Sequence, residues 1–258
     1  MEEKITAAEI ERILMDQRDD RQRDHLMRFF KTGQGQYGEG DMFLGLKVPQ
    51  TRAVVKQASR RVPPEEIKTL LYSPWHEVRL CGFLLLVEEM KACMLKKSAK
   101  KAISIDDENK HSSRRKEIAE FYLRHARQAN NWDLVDLSCE YILGPYIRIS
   151  DTPDYGILYK LSESDNLWEQ RISIVTTLDF IREGIFTPTL ELADRLIGHT
   201  HDLIHKAIGW ALREIGKRDK SALTDYLEER YTQLHRTTLR YAIERFSEDE
   251  RQFWLRMK

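Results

Sequence analysis

The sequence has few cysteines and no long apolar run, and each absence excludes a class of protein. Its three cysteines, Cys81, Cys93 and Cys139, form no CxxC pair and are odd in number, which argues against a disulfide framework and a zinc cluster. The longest apolar stretches, such as residues 82–87 (GFLLLV), fall far short of the roughly 20 residues that a membrane span requires. The charged N-terminal residues also lack the apolar core of a signal peptide. We therefore expect a cytoplasmic protein that requires neither a membrane nor a metal.

The sequence also lacks a net charge and a phosphate-binding loop. It holds 42 basic and 42 acidic residues, so its total charge gives no support for a polyanionic partner. Lysines are concentrated in residues 91–101 (KACMLKKSAKK), which predicts a basic connecting insertion near 91–107. The glycine-rich residues 33–41 (GQGQYGEGD) have neither the flanking strand and helix nor the GK[ST] of a phosphate-binding loop. We interpret them as a mobile connection.

What the sequence has in abundance is helical periodicity. Apolar residues recur at helical spacing almost throughout, as in Ile172, Val175, Leu178 and Ile181, and no segment alternates convincingly as a strand would. Because 41% of the residues are hydrophobic, the chain can bury one sizeable core. The sequence therefore predicts a single all-α domain over residues 1–258, with a C-terminal capping helix near 247–257.

A pattern that recurs about every 35 residues predicts how these helices are arranged. One polar residue precedes an apolar helical run at Arg171, Lys206 and Arg240, at intervals of 35 and 34 residues, the size of a two-helix repeat unit. Asp136 lies 35 residues before Arg171, and Arg79 lies 57 residues before Asp136, across the basic insertion. We predict an α-α superhelix, or solenoid, whose concave surface carries all five residues.

This predicted row of cations is interrupted by a single carboxylate. Helical repeats commonly bind proteins, and contact with solvent explains polar residues at these positions but not their consistent positive sign. Cations along a concave face suit a phosphate backbone, where affinity comes mainly from charge neutralisation. The carboxylate of Asp136 would be repelled by that backbone, so we expect it to have a chemical role.

Two tryptophans and two aspartates refine this expectation. Trp132 lies four residues before Asp136, and Trp210 lies four residues after Lys206, so each shares a helical face with its partner. Asp133 is better explained as a first-turn residue that stabilises the helix dipole, after an N-cap at residue 130 or 131.

Two aromatic walls, one carboxylate and flanking cations suit hydrolysis of a glycosidic bond to a positively charged base. Such a leaving group needs little help from an acid, and one carboxylate can stabilise the developing sugar cation and orient water. Tryptophan faces attract cations and would favour the charged base over a neutral one.

Several motifs occur in order along the chain: FLGLKVPQTR at 43–52, NNWDLVD at 130–136, SDNLWEQR at 164–171, HKAIGWALRE at 205–214 and RTTLRYAIERF at 236–246. Through them the chain resembles the AlkD-type DNA alkylation-repair glycosylases. The resemblance implies a single domain of HEAT-like helical repeats that excises cationic lesions such as 3-methyladenine and 7-methylguanine from double-stranded DNA. It also implies activity without a metal or cofactor, and we expect a monomer.

The resemblance implies roles for individual residues. Asp136 would be the catalytic carboxylate, Trp132 and Trp210 the aromatic walls, and Arg171 the cation beside them. Together with the repeat positions, the residues expected to bind DNA are Arg213, Lys206, Arg240, Arg79 and Arg52. Two alternatives stay open: a noncatalytic protein that binds DNA structures, and a HEAT-type scaffold for protein partners.

Overall fold

The structure is a computed structural model that describes residues 4–94, 104–150 and 152–257. Most of these residues are helical, and the extended pairing among them is a single bridge between Met42 and Trp75. The chain divides into two compact units, Met1–Ile142 and Leu143–Lys258. The helices up to the boundary are α1 (Ala7–Met15), α2 (Asp20–Phe29), α3 (Val48–Ala58), α4 (Pro64–Leu71), α5 (His76–Ala92), α6 (Ile105–Arg124), α7 (Trp132–Asp136) and α8 (Cys139–Ile149), which contains the boundary. Those that follow are α9 (Gly156–Ser162), α10 (Leu167–Thr176), α11 (Leu178–Arg182), α12 (Thr187–Leu196), α13 (Asp202–Arg218), α14 (Lys220–Arg230), α15 (Arg236–Ala242) and α16 (Glu248–Arg256).

Helix α5 is the centre of the first unit. It is buried on nearly all sides, and α3, α4, α6 and α7 pack against it. A helix that is apolar all round belongs in a core rather than at a surface. Its first turn contains two charged or titratable residues, His76 and Glu77, that are nevertheless buried, so their partners decide the local structure.

The second unit is built from helices that pack in succession. α10 packs against α13 and α13 against α15, while α9 packs against α10, and α12 and α14 pack against α13. Gly209 lets α13 approach α15 closely, because a Cβ there would lie 2.5 Å from the Tyr241 Cβ and 2.6 Å from the Thr238 carbonyl oxygen. The prediction of an all-α helical-repeat fold is confirmed.

Two smaller predictions concern the insertion and the C-terminus. α16 occupies the position predicted for a capping helix, and Ser247 and Glu250 form a capping box at its start. The basic insertion lies between α5 and α6, and its residues 95–103 are outside the described residues. In the parts of the chain that the structure describes, no helix has the length and apolar character needed to cross a membrane.

Candidate active site

Helix α7 carries the predicted catalytic carboxylate. Asn131 is its N-cap and accepts a hydrogen bond from the Trp132 amide at 2.9 Å through its side-chain oxygen. Trp132 and Asp136, the first and last residues of this helix, are half-buried and line one cavity of about 480 Å³ in the first unit. The structure therefore brings these two predicted site residues together.

The cavity is mostly apolar, with a few charged residues at its edge. A large pocket with few converging polar groups is the usual form of a binding site. Its lining comes from α2, from the segment leading into α3, from α5 and from α7. The lining residues are Leu26, Phe29, Phe30, Leu46, Lys47, Val48, Pro49, His76, Glu77, Leu80, Trp132, Asp133, Asp136 and Leu137.

A buried group of four charged residues lies against this cavity; we call Asp41, His76, Arg79 and Asp133 the charge cluster. Nδ1 of His76 lies 2.8 Å from Oδ2 of Asp41, and its Nε2 lies 2.9 Å from Oδ2 of Asp133. The Arg79 guanidinium donates to the other oxygen of Asp41 and to the Ser73 carbonyl. All four residues are at most 6% exposed. Two cations and two carboxylates make the cluster neutral, which is how charges are tolerated in a core.

The neighbours of His76 determine its protonation. Burial alone would lower its pKa, but the charge of Asp133 and its hydrogen bond, followed by those of Asp41, raise the pKa of His76 to about 9. For Asp41, burial acts in the opposite direction. The hydrogen bond and charge of His76 and the Arg79 guanidinium outweigh it and lower the pKa of Asp41. At neutral pH the ring is therefore a cation between two carboxylates.

Aromatic rings join the charge cluster to Trp132. The His76 ring stacks on Phe43 at 4.3 Å between centroids and lies 5.2 Å from Phe30. Phe30 in turn stacks on Trp132 at 5.1 Å, and Phe29 meets Trp132 edge to face at 5.9 Å. Such pairs stabilise both the cationic ring and the tryptophan beyond simple burial of area.

Glu77 fixes the backbone of the FLGL segment, residues 43–46, which begins the sequence motif FLGLKVPQTR. The Glu77 carboxylate accepts hydrogen bonds from the amides of Leu44, Gly45 and Leu46 at 2.9 to 3.0 Å. Gly45 has φ 90°, and a Cβ there would lie 2.0 Å from the Asp19 carbonyl oxygen, so only glycine fits. This arrangement fixes Lys47 and the start of α3 at the rim of the cavity.

The segment after α7 is anchored to α6. Ser138 donates through its hydroxyl to the Leu134 carbonyl and lies 3.1 Å from the Tyr122 hydroxyl. Burial, followed by the nearby Cys139, raises the pKa of Tyr122 well above its usual value, and Asp136 adds to this rise. The phenol therefore stays protonated.

The remaining predicted catalytic residues belong to the second unit. Arg171 on α10 is 5% exposed and donates to the Leu203 carbonyl at 2.6 Å. Trp210 on α13 is half-buried and follows Gly209, where α13 approaches α15. The catalytic roles of both residues stay predictions.

The cations predicted to bind DNA differ in exposure. Lys206 is partly exposed and pairs with Asp202 at 2.8 Å, and Arg213 pairs with Glu244. Arg240 on α15 and Arg52 on α3 are exposed. Of the five residues predicted to share one surface, Arg79 is buried in the first unit. For Asp136, Arg171, Lys206 and Arg240 the common surface stays a prediction.

The structure corrects three expectations in the first unit. Arg79 is 5% exposed and held by Asp41, so a structural role replaces its predicted contact with DNA. Asp133 does lie in the first turn of α7, but its main partner is the His76 ring rather than the helix dipole alone. The glycine-rich segment 33–41 is more than a connection, because it ends in Asp41, a member of the charge cluster.

Sequence reasoning missed His76 and Asp41 entirely. A histidine in the first turn of a helix is usually exposed, and an aspartate that ends a glycine-rich loop usually caps a turn. Neither position carries a local signal of burial. Among the residues that the structure describes, no group of three or more histidine, cysteine or acidic side chains is arranged to hold a metal ion.

The helical repeats, together with a cavity that combines a carboxylate with stacked aromatic rings, define a helical-repeat protein with a candidate ligand-binding cavity in its first unit. The sequence matches the family model described as DNA alkylation repair enzyme over residues 10–246, and the chain belongs to this family.

One solved structure similar to this chain is that of a predicted DNA alkylation repair enzyme from Enterococcus faecalis. The TM-score is 0.63 and the identity 16%, and the alignment covers 90% of this chain and 97% of that one. At this identity the likeness concerns the fold alone. No curated protein sequence matches the chain significantly.

Proposed function

We propose that the protein is an alkylpurine DNA glycosylase that hydrolyses the bond between deoxyribose and a cationic base such as 3-methyladenine or 7-methylguanine. The observation that carries the proposal is the placement of Asp136 and Trp132 at one cavity, in a chain that belongs to the DNA alkylation repair enzyme family. Double-stranded DNA that contains such a base is the proposed substrate.

The chemistry needs little more than the groups at this cavity. When the glycosidic bond breaks, the bonding electron pair goes to the purine, which leaves neutral and needs no proton from an acid. Positive charge then develops on the sugar, where the Asp136 carboxylate stabilises it. Water adds to C1′ of the sugar, and Asp136 accepts the proton that the water loses.

Trp132 contributes recognition rather than proton transfer. Phe30 stacks on its ring and Phe29 meets the ring edge to face, so the part of Trp132 that lines the cavity is held as a rigid wall. A cationic base is attracted to an indole ring more strongly than its neutral parent is, which favours the lesion over normal DNA. We assign Trp210 and Arg171 supporting catalytic roles, and Lys206, Arg213, Arg240 and Arg52 contacts with the DNA backbone.

The test is the single-turnover release of 7-methylguanine from a duplex by the wild type and by Asp136→Asn. The amide keeps the size of the carboxylate but stabilises no sugar cation and accepts no proton from water. We expect excision to fall at least about a hundredfold, the usual scale for losing one such group. Binding to the duplex, measured in parallel, should persist.

The matched control is Glu65→Gln, which removes one exposed carboxylate from α4 in the same unit, away from the cavity. It should excise at the wild-type rate. If Asp136→Asn excises as fast as the wild type, this carboxylate is not catalytic. If the wild type releases no base but binds unmodified or branched DNA, the protein is a noncatalytic DNA binder.

A further inference from the structure

The charge cluster lies beside the reacting groups of the proposed function without being one of them. His76 and Asp133 line the cavity, whereas Asp41 and Arg79 lie behind them and do not. The cluster is therefore placed to act on the site through the protein rather than through the substrate.

The geometry of His76 requires a doubly protonated ring. Each of its nitrogens lies within 2.9 Å of a carboxylate oxygen. A neutral imidazole has one N–H and one lone pair, so one of these contacts would set a lone pair against a carboxylate oxygen. With both nitrogens protonated, both contacts are charge-assisted hydrogen bonds.

Helix α7 depends on this ring for its position. Oδ1 of Asp133 is buried and has no hydrogen-bond partner, so among the described residues His76 is the only hydrogen-bond partner of this carboxylate. Asp133 and Asp136 belong to the same five-residue helix, so a displacement of one displaces the other. Phe30 contacts both the His76 ring and the Trp132 ring, so Trp132 is also connected to the imidazole of His76.

We propose that His76 is a positioning residue: clamped between Asp41 and Asp133, its doubly protonated ring fixes α7 and thereby directs Trp132 and Asp136 into the cavity. This inference rests on the proposed function, because it assigns the clamp to the same excision site. Loss of one proton, from a group that does not touch the reacting atoms, would release α7 and stop excision.

The proposal predicts an alkaline limit for excision. The charged groups in contact with His76 are Asp41 from the glycine-rich segment and Asp133 from α7. Arg79, which pairs with Asp41, and Glu77 belong to its own helix, and Lys47 and Asp136 line the same cavity. Because the pKa of His76 is about 9, excision should decline with a midpoint near pH 9.

The decisive variant is Asp41→Asn, because Asp41 contacts His76 from behind the cavity. Removing this charge should move the midpoint of the alkaline decline down by about one pH unit or more, the usual effect of one nearby opposite charge. Excision of 7-methylguanine would be followed from pH 6 to pH 10, with the uncatalysed release subtracted at each pH.

Two further variants serve as controls for the Asp41→Asn result: one removes the titrating ring, and the other removes an unrelated carboxylate. His76→Gln should lower excision at every pH and abolish the decline near pH 9, because the amide does not titrate. Glu65→Gln, which also removes one carboxylate from the first unit, should keep the wild-type midpoint. Equal midpoints in the wild type and in a folded Asp41→Asn would overturn the proposal.

A measurement that needs no activity separates this proposal from the proposed function. With 5-fluorotryptophan incorporated, the Trp132 resonance, assigned from Trp132→Phe, should shift with a midpoint near pH 9 in the wild type and lower in Asp41→Asn. If Asp41→Asn fails to fold, His76→Gln decides instead, because its Trp132 resonance should show no transition near pH 9. A Trp132 resonance insensitive to pH between 7 and 10 overturns the clamp. A titrating resonance in a protein without excision activity overturns the proposed function and supports the clamp.

Discussion

Histidines in the two units have opposite surroundings. In the first unit, His76 lies between two carboxylates, and its pKa is raised to about 9. In the second unit, His205 is also buried, but its ring stacks on His235 at 4.0 Å with nearly parallel planes. Burial, and then the charges that His235 and His199 carry when protonated, lower the pKa of His205. The same side chain is held charged in one unit and neutral in the other.

The difference shows that the two units position their predicted site residues by different means. The first unit holds α7 with buried charges. The second unit holds α13, which carries Trp210, by the close approach of helices at Gly209. Ion pairs respond to protons, whereas close packing does not, so the two units should respond differently to the same perturbations.

The largest expected effect comes from His76→Leu. It removes the ring and leaves the Asp133 carboxylate buried without any hydrogen-bond partner, which should cost about 3 to 5 kcal/mol in the free energy of unfolding. Urea denaturation at pH 7 measures this loss. His205→Leu leaves no buried carboxylate without a partner, so it should lower the free energy of unfolding clearly less than His76→Leu does. Equal losses would contradict the difference between the two units.

The second prediction concerns pH. The folded pKa of His76 lies above its usual value, so its stabilisation is fully present below pH 6.5 and is lost as the pH rises through 9. This contribution amounts to roughly 3 kcal/mol. The difference in unfolding free energy between the wild type and His76→Gln should therefore shrink by that amount from pH 6 to pH 10.

The histidines of the second unit should show the opposite trend. The pKa values of His199, His201 and His205 are lowered, chiefly by burial, so their contribution is present above pH 6.5 and is lost as the pH falls below it. A wild-type protein whose second unit gains stability between pH 7 and pH 5 would break the comparison. Urea denaturation followed through unit-specific fluorophores gives this measurement.

The fourth prediction tests close packing. Gly209→Ala places a methyl group 2.5 Å from the Tyr241 Cβ, so α13 and α15 must move apart, at a cost of about 1 to 3 kcal/mol. The loss should be the same at pH 6 and pH 9. Gly198→Ala is the matched control, because a Cβ there meets no atom within 4 Å. Equal stabilities of the two variants would show that the approach at Gly209 is not tight.

The smallest expected effect comes from His235→Asn. Asparagine keeps the N-cap hydrogen bond to the Thr237 amide but removes the ring stacked on His205. At pH 5, where two stacked cations would repel each other, the variant should gain a few tenths to about 1 kcal/mol relative to its effect at pH 8. Exposed His25→Asn should show no such gain, and a gain of equal size there would exclude stacking as the cause.

Much of the fold could be predicted because its signals are local. Helical periodicity depends only on residues close together in the sequence. The recurrence at Arg171, Lys206 and Arg240 corresponds to α10, α13 and α15, which pack in succession. An N-cap at residue 130 or 131, which the structure resolves as Asn131, and the joint placement of Trp132 and Asp136 also follow from spacing along one short helix.

The charge cluster could not be predicted, because its contacts join distant parts of the chain. Asp41 is 35 residues from His76, and His76 is 57 residues from Asp133. Arg79 fitted the repeat register as a surface cation, but α5 is buried on nearly all sides, so the same register position faces inward there. Periodicity reports which residues share a face and leaves open what covers that face.

The Glu77 carboxylate determines which residues at the rim of the cavity can be substituted without disturbing the backbone. It satisfies three successive backbone amides of the FLGL segment, so a residue 31 to 33 positions away fixes the course of that segment. Lys47, exposed at the rim of the cavity, is therefore free to be exchanged while the backbone beneath it keeps its path. Under the proposed function, substitutions at this rim can then change substrate preference without a change of scaffold, provided that Glu77 and Gly45 are retained.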